Sequence, residues 1–180
     1  YSYLILKPTP SVGFFLTKND FFISYLEIFF KKQIMTQKLI LSFEELKEMS
    51  YSLAETIKKD NINFDMIVTL TKWWLVPTYF VADILWIKTI ETLNINSYNL
   101  DWKQAEIIDK TYFKKSFSNL NILIVDDLVD SWNSISYVLE NYEISNYKLA
   151  TIFYKEKSKI IPDYFCKKAN DEWIVFPYES

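Results

Sequence analysis

The segment from Asn121 to Ser134 reads Asn-Ile-Leu-Ile-Val-Asp-Asp-Leu-Val-Asp-Ser-Trp-Asn-Ser. After Asn121, the four residues Ile122 to Val125 form an apolar run typical of a strand that is buried on both faces. Two adjacent carboxylates, Asp126 and Asp127, follow this run, and Asp130 precedes a short loop leading to a helix predicted at about 135–141. Ligands of open α/β sheets bind at the carboxyl ends of strands, so we expect a binding site here.

The residue types of this segment suggest which ligand it takes. The first turn of a helix has free N–H groups, and with serine hydroxyls beside them it forms a phosphate site. Carboxylates next to a phosphate suit the hydroxyls of a ribose, or Mg²⁺ bound through oxygen ligands. Spacing alone leaves a second interpretation open, in which the segment is a solvated turn followed by a helix cap.

Strand and helix patterns alternate on both sides of this segment. Ser42 and Glu45 have the spacing of a capping box, and apolar residues at helical spacing follow over about 43–59. Pro77 is predicted to open a second helix, and the polar segment 96–118 is predicted to be a long mobile loop. Further strands are predicted at 39–41, 64–70, 89–95 and 149–154 and near Tyr164 and Ile174. Such alternation predicts an α/β fold whose parallel sheet is covered on both faces.

Composition narrows the class of protein. The chain has 180 residues, half of them apolar, which is enough for one domain with a substantial core. A net charge of −3 argues against general nucleic-acid binding. Histidine is absent and Cys166 is the single cysteine, so neither an internal disulfide nor a Cys/His zinc site is expected. These features favour a reducing, cytoplasmic setting.

Residues 1–34 differ in character from the rest of the chain. They contain the aromatic run 21–30, which includes Glu27 and is too short and too charged to span a bilayer. The alternatives are an interfacial helix, an extra packing element, or a stretch that is not native to the working protein. Met35 begins the predicted domain, residues 35–180.

Five segments, covering about 40–180, resemble motifs of the type I phosphoribosyltransferases in the same order, and most closely those of the purine branch. The segment from Ile122 to Ser134 resembles the signature for phosphoribosyl diphosphate (PRPP). The segment Ile67-Val-Thr-Leu-Thr-Lys-Trp-Trp-Leu-Val-Pro77 resembles the pyrophosphate loop. The other three are Asn96–Tyr98, similar to the start of the mobile lid, Thr151–Lys155, similar to the strand whose lysine meets the purine, and Trp173–Glu179, similar to the closing segment.

The resemblance implies a mostly parallel sheet flanked by helices, with a small hood that carries the base-binding segment. It implies a purine salvage enzyme that moves 5-phosphoribosyl from PRPP to xanthine, guanine or hypoxanthine and releases pyrophosphate. Mg²⁺ is the implied cofactor, and a homodimer or homotetramer is the implied assembly. Neither a nucleic acid nor a membrane is an expected partner.

The same resemblance implies the roles of individual residues. Asp130 would be the general base that takes the proton from purine N7, and Asp126 and Asp127 would hold the ribose hydroxyls, directly or through Mg²⁺. Glu179 would be a further metal ligand. The remaining implied contacts are Ser131, Trp132, Asn133 and Ser134 to PRPP; Lys72, Trp73 and Trp74 to pyrophosphate; Lys155, Trp173 and Ile174 to the purine; and Ser97 and Tyr98 on the lid.

Each of the main residues also has a simpler interpretation. Asp130 suits the start of a helix, where a negative charge is stabilised by about 0.3–1 kcal/mol. Lys155 could be an exposed lysine at a strand end, and Trp173 could pack in the core.

Glycine is nearly missing from the chain. Gly13 is the single one, whereas average usage of about 7% predicts roughly a dozen. Tryptophan stands at four positions where the family usually has glycine, namely Trp73, Trp74, Trp86 and Trp132. A fifth tryptophan, Trp102, stands in a turn context. All 20 basic residues are lysine, as expected of an AT-rich genome. We therefore hypothesise that UGA, read here as Trp, encodes glycine in the source organism, and that the same error added residues 1–34.

The competing hypothesis is that these tryptophans are genuine. An indole at 132 would intrude where backbone must approach a phosphate, and two at 73 and 74 would crowd the pyrophosphate. The chain would then be a catalytically dead relative that binds a nucleotide or acts as a regulator.

Overall fold

Strands and helices alternate along the part of the chain that the structure describes. This computed structural model describes residues 38–70, 74–98, 104–112, 116–130, 133–170 and 172–179. The strands there are β1 (Lys38–Ile40), β2 (Met66–Leu70), β3 (Ile90–Leu93), β4 (Ile95–Tyr98), β5 (Gln104–Asp109), β6 (Asn121–Val129), β7 (Asn146–Lys155), β8 (Tyr164–Ala169) and β9 (Trp173–Val175). The helices are α1 (Phe43–Lys58), α2 (Leu75–Leu85) and α3 (Asn133–Asn141). The residues 1–34 and their predicted character lie outside these ranges.

A five-stranded sheet in the order β3-β2-β6-β7-β8 is parallel throughout. The central strand β6 is in register with both neighbours, Leu123 lying opposite Ile67 of β2 and opposite Lys148 of β7. Ile122, Ile124 and Leu149 pack on one face of the sheet, and Ile67, Leu123 and Ile152 on the other. Burial on both faces explains why these strands are continuous apolar runs, and it confirms the predicted fold class.

Helix α1 covers one face of the sheet, as the sequence predicts. The Ser42 hydroxyl accepts from the Glu45 amide at 3.2 Å, and the Glu45 carboxylate accepts from the Ser42 amide at 2.8 Å, which is the predicted capping box. Leu46, Leu53 and Ile57 recur at helical spacing and are fully buried. The apolar stripe of this helix is therefore what attaches it to the sheet.

Helix α2 begins at Leu75, two residues before the start predicted from Pro77. Pro77 occupies the third helical position. The first four amides of a helix have no intrahelical acceptor, so the missing proline N–H costs nothing there either.

The end of α2 has an unusual residue. Trp86 follows the helix with φ 57° and ψ 28°, in the left-handed region. Its amide donates to the Asp83 carbonyl at 3.4 Å, and the Ile87 amide donates to the Ala82 carbonyl at 3.1 Å. These two bonds make a Schellman motif, whose left-handed residue is usually glycine because a Cβ is unfavourable there. The side chain of Trp86 is left 82% exposed.

The prediction of a loop over 96–118 is wrong for two stretches. Strands β4 and β5 pair antiparallel, with Ile95 opposite Asp109 and a shift in register between Asn96 and Tyr98. The pair forms a sheet of its own, separate from the parallel sheet. A short polar ribbon has little apolar alternation, so its sequence resembles that of a loop.

Two further boundaries differ from the predictions. Strand β6 continues to Val129, so Asp126 and Asp127 lie within the strand rather than after it. Helix α3 begins at Asn133 instead of about 135. The continuation of β6 follows from its pairing with the ten-residue strand β7, which extends the ladder to Val129 opposite Tyr154.

The last of the described strands pairs with the first. Strand β9 pairs in parallel with β1, Ile174 lying opposite Leu39, and the Leu41 amide donates to the Val175 carbonyl at 3.0 Å. This two-stranded sheet corresponds to the small hood that the sequence predicts to carry the base-binding segment. Among the described residues, no helix has the length and apolar character needed to cross a bilayer.

Candidate active site

Asp126 and Asp127 lie in the second half of β6 and are almost completely buried, with exposures of 2% and 6%. An Asp126 carboxylate oxygen accepts from the Leu128 amide at 3.1 Å. An Asp127 carboxylate oxygen accepts from the Tyr178 hydroxyl at 2.5 Å. The carboxylates are therefore placed by neighbours on the strand and on the closing segment of the chain.

Burial makes it unfavourable for the Asp126 and Asp127 carboxyl groups to be ionised. It raises the pKa of Asp126 well above its ordinary value, and repulsion from Asp127 raises it further. Burial also raises the pKa of Asp127 to about 6, although the hydrogen bond from Tyr178 lowers it. A divalent cation or a set of hydroxyl donors would offset the cost of ionising these groups.

These residues fit Mg²⁺ in the manner usual for that ion, in which one or two carboxylates act with phosphates of the substrate. Among the described residues, no group of three or more acidic, histidine or cysteine side chains is arranged as a metal cage. Glu179 is close enough to Asp127 to raise its pKa, and one oxygen of Glu179 accepts from the Phe176 amide at 3.1 Å. The acidic pair is thus the part of the predicted metal set best placed to hold the ion.

Asp130 follows β6 and lies between two ammonium groups. Its Oδ1 atom is 3.6 Å from Nζ of Lys155 and 3.5 Å from Nζ of Lys157. Within the described part of the chain, no donor hydrogen-bonds to this buried oxygen. Lys155 is itself only 7% exposed, whereas most of Lys157 is in solvent. The geometry brings together the predicted general base and the predicted purine-binding lysine, and adds a second lysine.

The pairing of β6 with β7 explains this arrangement. Val129 lies opposite Tyr154, so the residues that follow them, Asp130 and Lys155, leave the same edge of the sheet side by side. A turn closed by the Ser158 amide on the Lys155 carbonyl, at 2.9 Å, brings Lys157 back toward Asp130. The strand register therefore places Asp130 beside Lys155, and the turn places Lys157.

Helix α3 begins directly after this carboxylate cluster. Asn133 and Ser134 occupy its first turn, where amide groups have no intrahelical acceptor. Ser131 and Trp132, predicted to bind PRPP with them, lie outside the described residues. A helix that starts at the carboxyl edge of a parallel sheet is a suitable place for a phosphate group.

The structure describes residues 67–70 and 74–77 of the segment that resembles the pyrophosphate loop. Lys72 and Trp73 lie outside the described residues, as does Trp102 in a later segment. Trp74 is half-buried at the start of α2, with φ −73° and ψ −10°. This is the right-handed region that any residue adopts, so the backbone angles give no support for glycine at 74.

Two threonines beside this loop were missed by the sequence analysis. The Thr78 hydroxyl donates to the Thr69 hydroxyl at 2.9 Å, and the Thr69 hydroxyl donates to the Val125 carbonyl at 3.2 Å. Both side chains are fully buried. They tie the first turn of α2 to the end of β2 and to the middle of β6, which fixes both ends of the loop. Their position after an apolar run was the available signal.

The predicted base-binding segment lies in the hood. Trp173 is 46% exposed, so its indole is available to a ligand rather than enclosed in the core. Ile174 is buried among the core residues beneath it. Ser97 and Tyr98, predicted for the lid, belong to β4, and their side chains lie outside the described residues.

Among the residues that the structure describes, Tyr178 and Lys157 contact the acidic residues, and the sequence analysis gave neither of them a role. Each lies close to a predicted residue, Tyr178 before Glu179 and Lys157 two residues after Lys155. Their contacts with Asp127 and Asp130 depend on the tertiary fold, so spacing alone could not reveal them.

A cavity of about 560 Å³ lies elsewhere, at the amino ends of β2 and β3, where Asn63, Asp65, Trp86 and Thr89 are among its lining residues. Its lining residues include none of the acidic cluster, by which we mean Asp126, Asp127 and Asp130. We place the site at the carboxyl edge because the buried charges are there.

Comparisons with known proteins bear on the family and the fold. Residues 37–179 match the family model for the phosphoribosyl transferase domain. The chain is 30% identical over 146 residues to the xanthine-guanine phosphoribosyltransferase of Cereibacter sphaeroides, an alignment that covers 77% of this chain and 85% of that protein. The fold resembles that of a Helicobacter pylori xanthine-guanine-hypoxanthine phosphoribosyltransferase (TM-score 0.63, 25% identity, covering 79% and 94% of the two chains). It also resembles a purine phosphoribosyltransferase from Pyrococcus horikoshii (TM-score 0.67, 22% identity, covering 79% and 95%).

Proposed function

Because this chain belongs to the phosphoribosyltransferase family, in its purine branch, we propose that it moves 5-phosphoribosyl from PRPP to a 6-oxopurine. The purine is xanthine, guanine or hypoxanthine, and the products are the nucleoside monophosphate and pyrophosphate. The bond from the sugar carbon to the pyrophosphate oxygen breaks, and a bond from that carbon to a purine nitrogen forms. The observation that carries the proposal is that Asp130 and Lys155 lie 3.6 Å apart beside a buried acidic pair.

In this mechanism Asp130 is the general base. Its Oδ1 atom, which accepts no hydrogen bond from the described residues, accepts the proton that leaves purine N7, a step that contributes roughly 10²–10⁴-fold. Lys155 donates to the 6-oxo group of the purine, and adenine is rejected because its amino group is also a donor. When Lys155 turns to the purine, Lys157 remains as the cation nearest Asp130.

The acidic pair holds the sugar. Asp126 and Asp127 accept from the ribose hydroxyls, or they would hold Mg²⁺, which would supply positive charge to neutralise the departing pyrophosphate. Ser131, Trp132, Asn133 and Ser134 surround the 5′-phosphate through their backbone amides and hydroxyls. Lys72 and the backbone at 73 and 74 contact the pyrophosphate. Trp173 stacks on the purine, Ile174 contacts it through its backbone, and Glu179 adds a metal contact.

We propose that the working domain is 35–180, close to the 37–179 matched by the family model. We further propose that it acts in the cytoplasm as a homodimer or homotetramer, with the segment at Ser97 and Tyr98 closing over bound PRPP.

The activity of the chain depends on its tryptophans. We propose that Trp73, Trp74, Trp86, Trp102 and Trp132 are glycine in the native product. The left-handed backbone of Trp86 supports this for one position, because glycine is the usual residue there. The second candidate function, a catalytically dead protein that binds a nucleotide or acts as a regulator, is favoured if Trp73, Trp74 and Trp132 are genuine.

One experiment tests the transferase and separates these alternatives. The chain as written and a version with glycine at all five positions are each assayed for PRPP-dependent conversion of guanine, xanthine, hypoxanthine and adenine. We expect turnover of 6-oxopurines by the glycine version and almost none by the chain as written. Robust activity of the chain as written would contradict our view of the glycine positions, and inactivity of both versions would leave the binding protein.

A matched pair of substitutions tests the proposed base. Asp130→Asn should lower kcat by roughly 10²–10⁴-fold. Asp163→Asn is the control, because Asp163 is also paired with a lysine: its Oδ1 atom is 2.7 Å from Nζ of Lys148. Asp163 is distant in sequence from Asp126, Asp127 and Asp130. If the two variants lose kcat equally, Asp130 is not the base.

A further inference from the structure

The closing segment of the chain ends in a tight turn. The Glu179 amide donates to the Phe176 carbonyl at 3.0 Å, and the Phe176 amide donates to the Glu179 carboxylate at 3.1 Å. These reciprocal bonds fix the backbone on both sides of Tyr178. The direction in which the Tyr178 side chain leaves the turn is therefore set by local structure.

The ring of Tyr178 is held by a stack of aromatic residues. It lies parallel to the ring of Phe176, with centroids 5.4 Å apart and planes 5° apart. Phe176 is buried and packs edge-on against Phe153 of β7, at 6.2 Å. The phenol is thus anchored through Phe176 to the same strand that carries Lys155.

The hydroxyl of this anchored ring donates to Oδ2 of Asp127, which is 51 residues away in the chain. Phenylalanine could supply the same stacking without bringing a polar oxygen toward the core. A phenol oxygen placed beside a buried carboxylate is favourable only because the two groups bond to each other. The bond fixes one oxygen of Asp127, whose carboxyl group also contacts the neighbouring Asp126 carboxyl and the Leu128 amide. Of these partners, Tyr178 comes from a distant part of the chain.

We infer that Tyr178 is a positioning residue for PRPP, holding the Asp127 carboxylate in the orientation that receives the ribose. The inference rests on the proposed function, and it adds a link between two parts of the site. Trp173 and Ile174, which contact the purine in that proposal, belong to the same closing segment as Tyr178. The hydroxyl therefore joins the base-binding hood to the sugar-binding strand.

The substitution Tyr178→Phe tests this role, because it keeps the ring and removes one oxygen. We expect the KM for PRPP to rise about tenfold, as for loss of a hydrogen bond to a charged group, while the KM for the purine changes less than about twofold. The dissociation constant of PRPP, measured by calorimetry without purine, should weaken by the same factor. The measurements use the full-length version of the chain that shows turnover.

Tyr164→Phe is the matched control. The Tyr164 hydroxyl donates to a carboxylate oxygen of Asp60 at 2.7 Å, so the same two chemical groups are joined at a distance from the acidic cluster. Both variants should lose thermal stability to a similar extent. Only Tyr178→Phe should change the affinity for PRPP.

Three outcomes are distinguishable. If Tyr178→Phe loses stability as Tyr164→Phe does but binds PRPP as the unsubstituted protein does, Tyr178 is merely structural and the inference is wrong. It is equally wrong if the KM values for PRPP and purine rise together, since Tyr178 would then support the whole site. If no version of the chain binds PRPP or forms nucleotide, the proposed function fails and the inference fails with it.

Discussion

Two substitutions at Trp86 measure what a side chain costs at the end of α2. Trp86→Gly and Trp86→Ala both remove an indole that is 82% exposed, so both variants lose the same small amount of packing. The difference between them isolates the backbone. A residue with a Cβ in the left-handed region costs roughly 1–2 kcal/mol relative to glycine. Glycine gives back about 0.4–1 kcal/mol through the greater entropy of its unfolded chain. Trp86→Gly should therefore be more stable than Trp86→Ala by roughly 0.5–1 kcal/mol.

The assay is urea unfolding followed by circular dichroism, because tryptophan fluorescence changes with the substitution. A reference pair, Ser52→Gly and Ser52→Ala, probes an exposed position inside α1. Glycine should be the less stable of that pair by about 1 kcal/mol. The order of glycine and alanine thus reverses between the two sites. If alanine is as stable as glycine at 86, the backbone there does not favour glycine and the argument from Trp86 is refuted.

The remaining predictions concern the site and the core. Burial raises the pKa of Asp127 from 3.8 to about 6, so the folded state binds this proton more tightly than the unfolded state, and ligand-free stability falls as pH rises through that interval. Asp127→Asn should therefore flatten this slope in urea unfolding and stabilise the ligand-free protein at neutral pH by ~1–3 kcal/mol, while it impairs PRPP binding; a slope unchanged by the substitution would contradict this. Lys155→Met should raise the KM for 6-oxopurines roughly 100-fold and weaken discrimination against adenine in steady-state assays, and unchanged selectivity would exclude the proposed contact. Ser42→Ala should lower stability by about 1 kcal/mol through loss of the cap while leaving KM values unchanged, and a change in KM would show that α1 acts on the site.

The identity of the native residues can be settled directly. Mass spectrometry of the protein purified from its source organism distinguishes tryptophan from glycine at each of the five positions. We expect glycine at 132. Tryptophan at that position in the native product would end the recoding hypothesis, whatever the stability measurements show.

Much of the fold could be predicted because the strongest signals are local. The apolar run after Asn121 predicts a strand that is buried on both faces, and β6 begins where expected. Ser42 with Glu45 predicts the start of α1, which also lies where expected. The start of α2 was predicted less well, because proline is tolerated anywhere in the first turn of a helix. The pairing of β4 with β5 escaped prediction because this short, mostly polar ribbon has little apolar alternation.

The chemistry of the site was predictable only in part. The motif residues Asp130 and Lys155 were found by resemblance, and the strand register explains why they meet. The contacts made by Tyr178 and Lys157 join residues that are far apart or separated by a turn. No periodicity in a single sequence encodes such contacts, because they depend on how the hood and the strands pack together.

The pairing of β1 with β9 also bears on how the protein is made. Lys38 and Trp173 lie near opposite ends of the domain in sequence, yet they are adjacent in space. The strands of the parallel sheet all precede β9 in the chain, so they are synthesised before it. The hood cannot form until β9 has been made, because β9 is the strand that pairs with β1. A chain whose synthesis stops between β8 and β9 would therefore contain every strand of the central sheet and lack the hood.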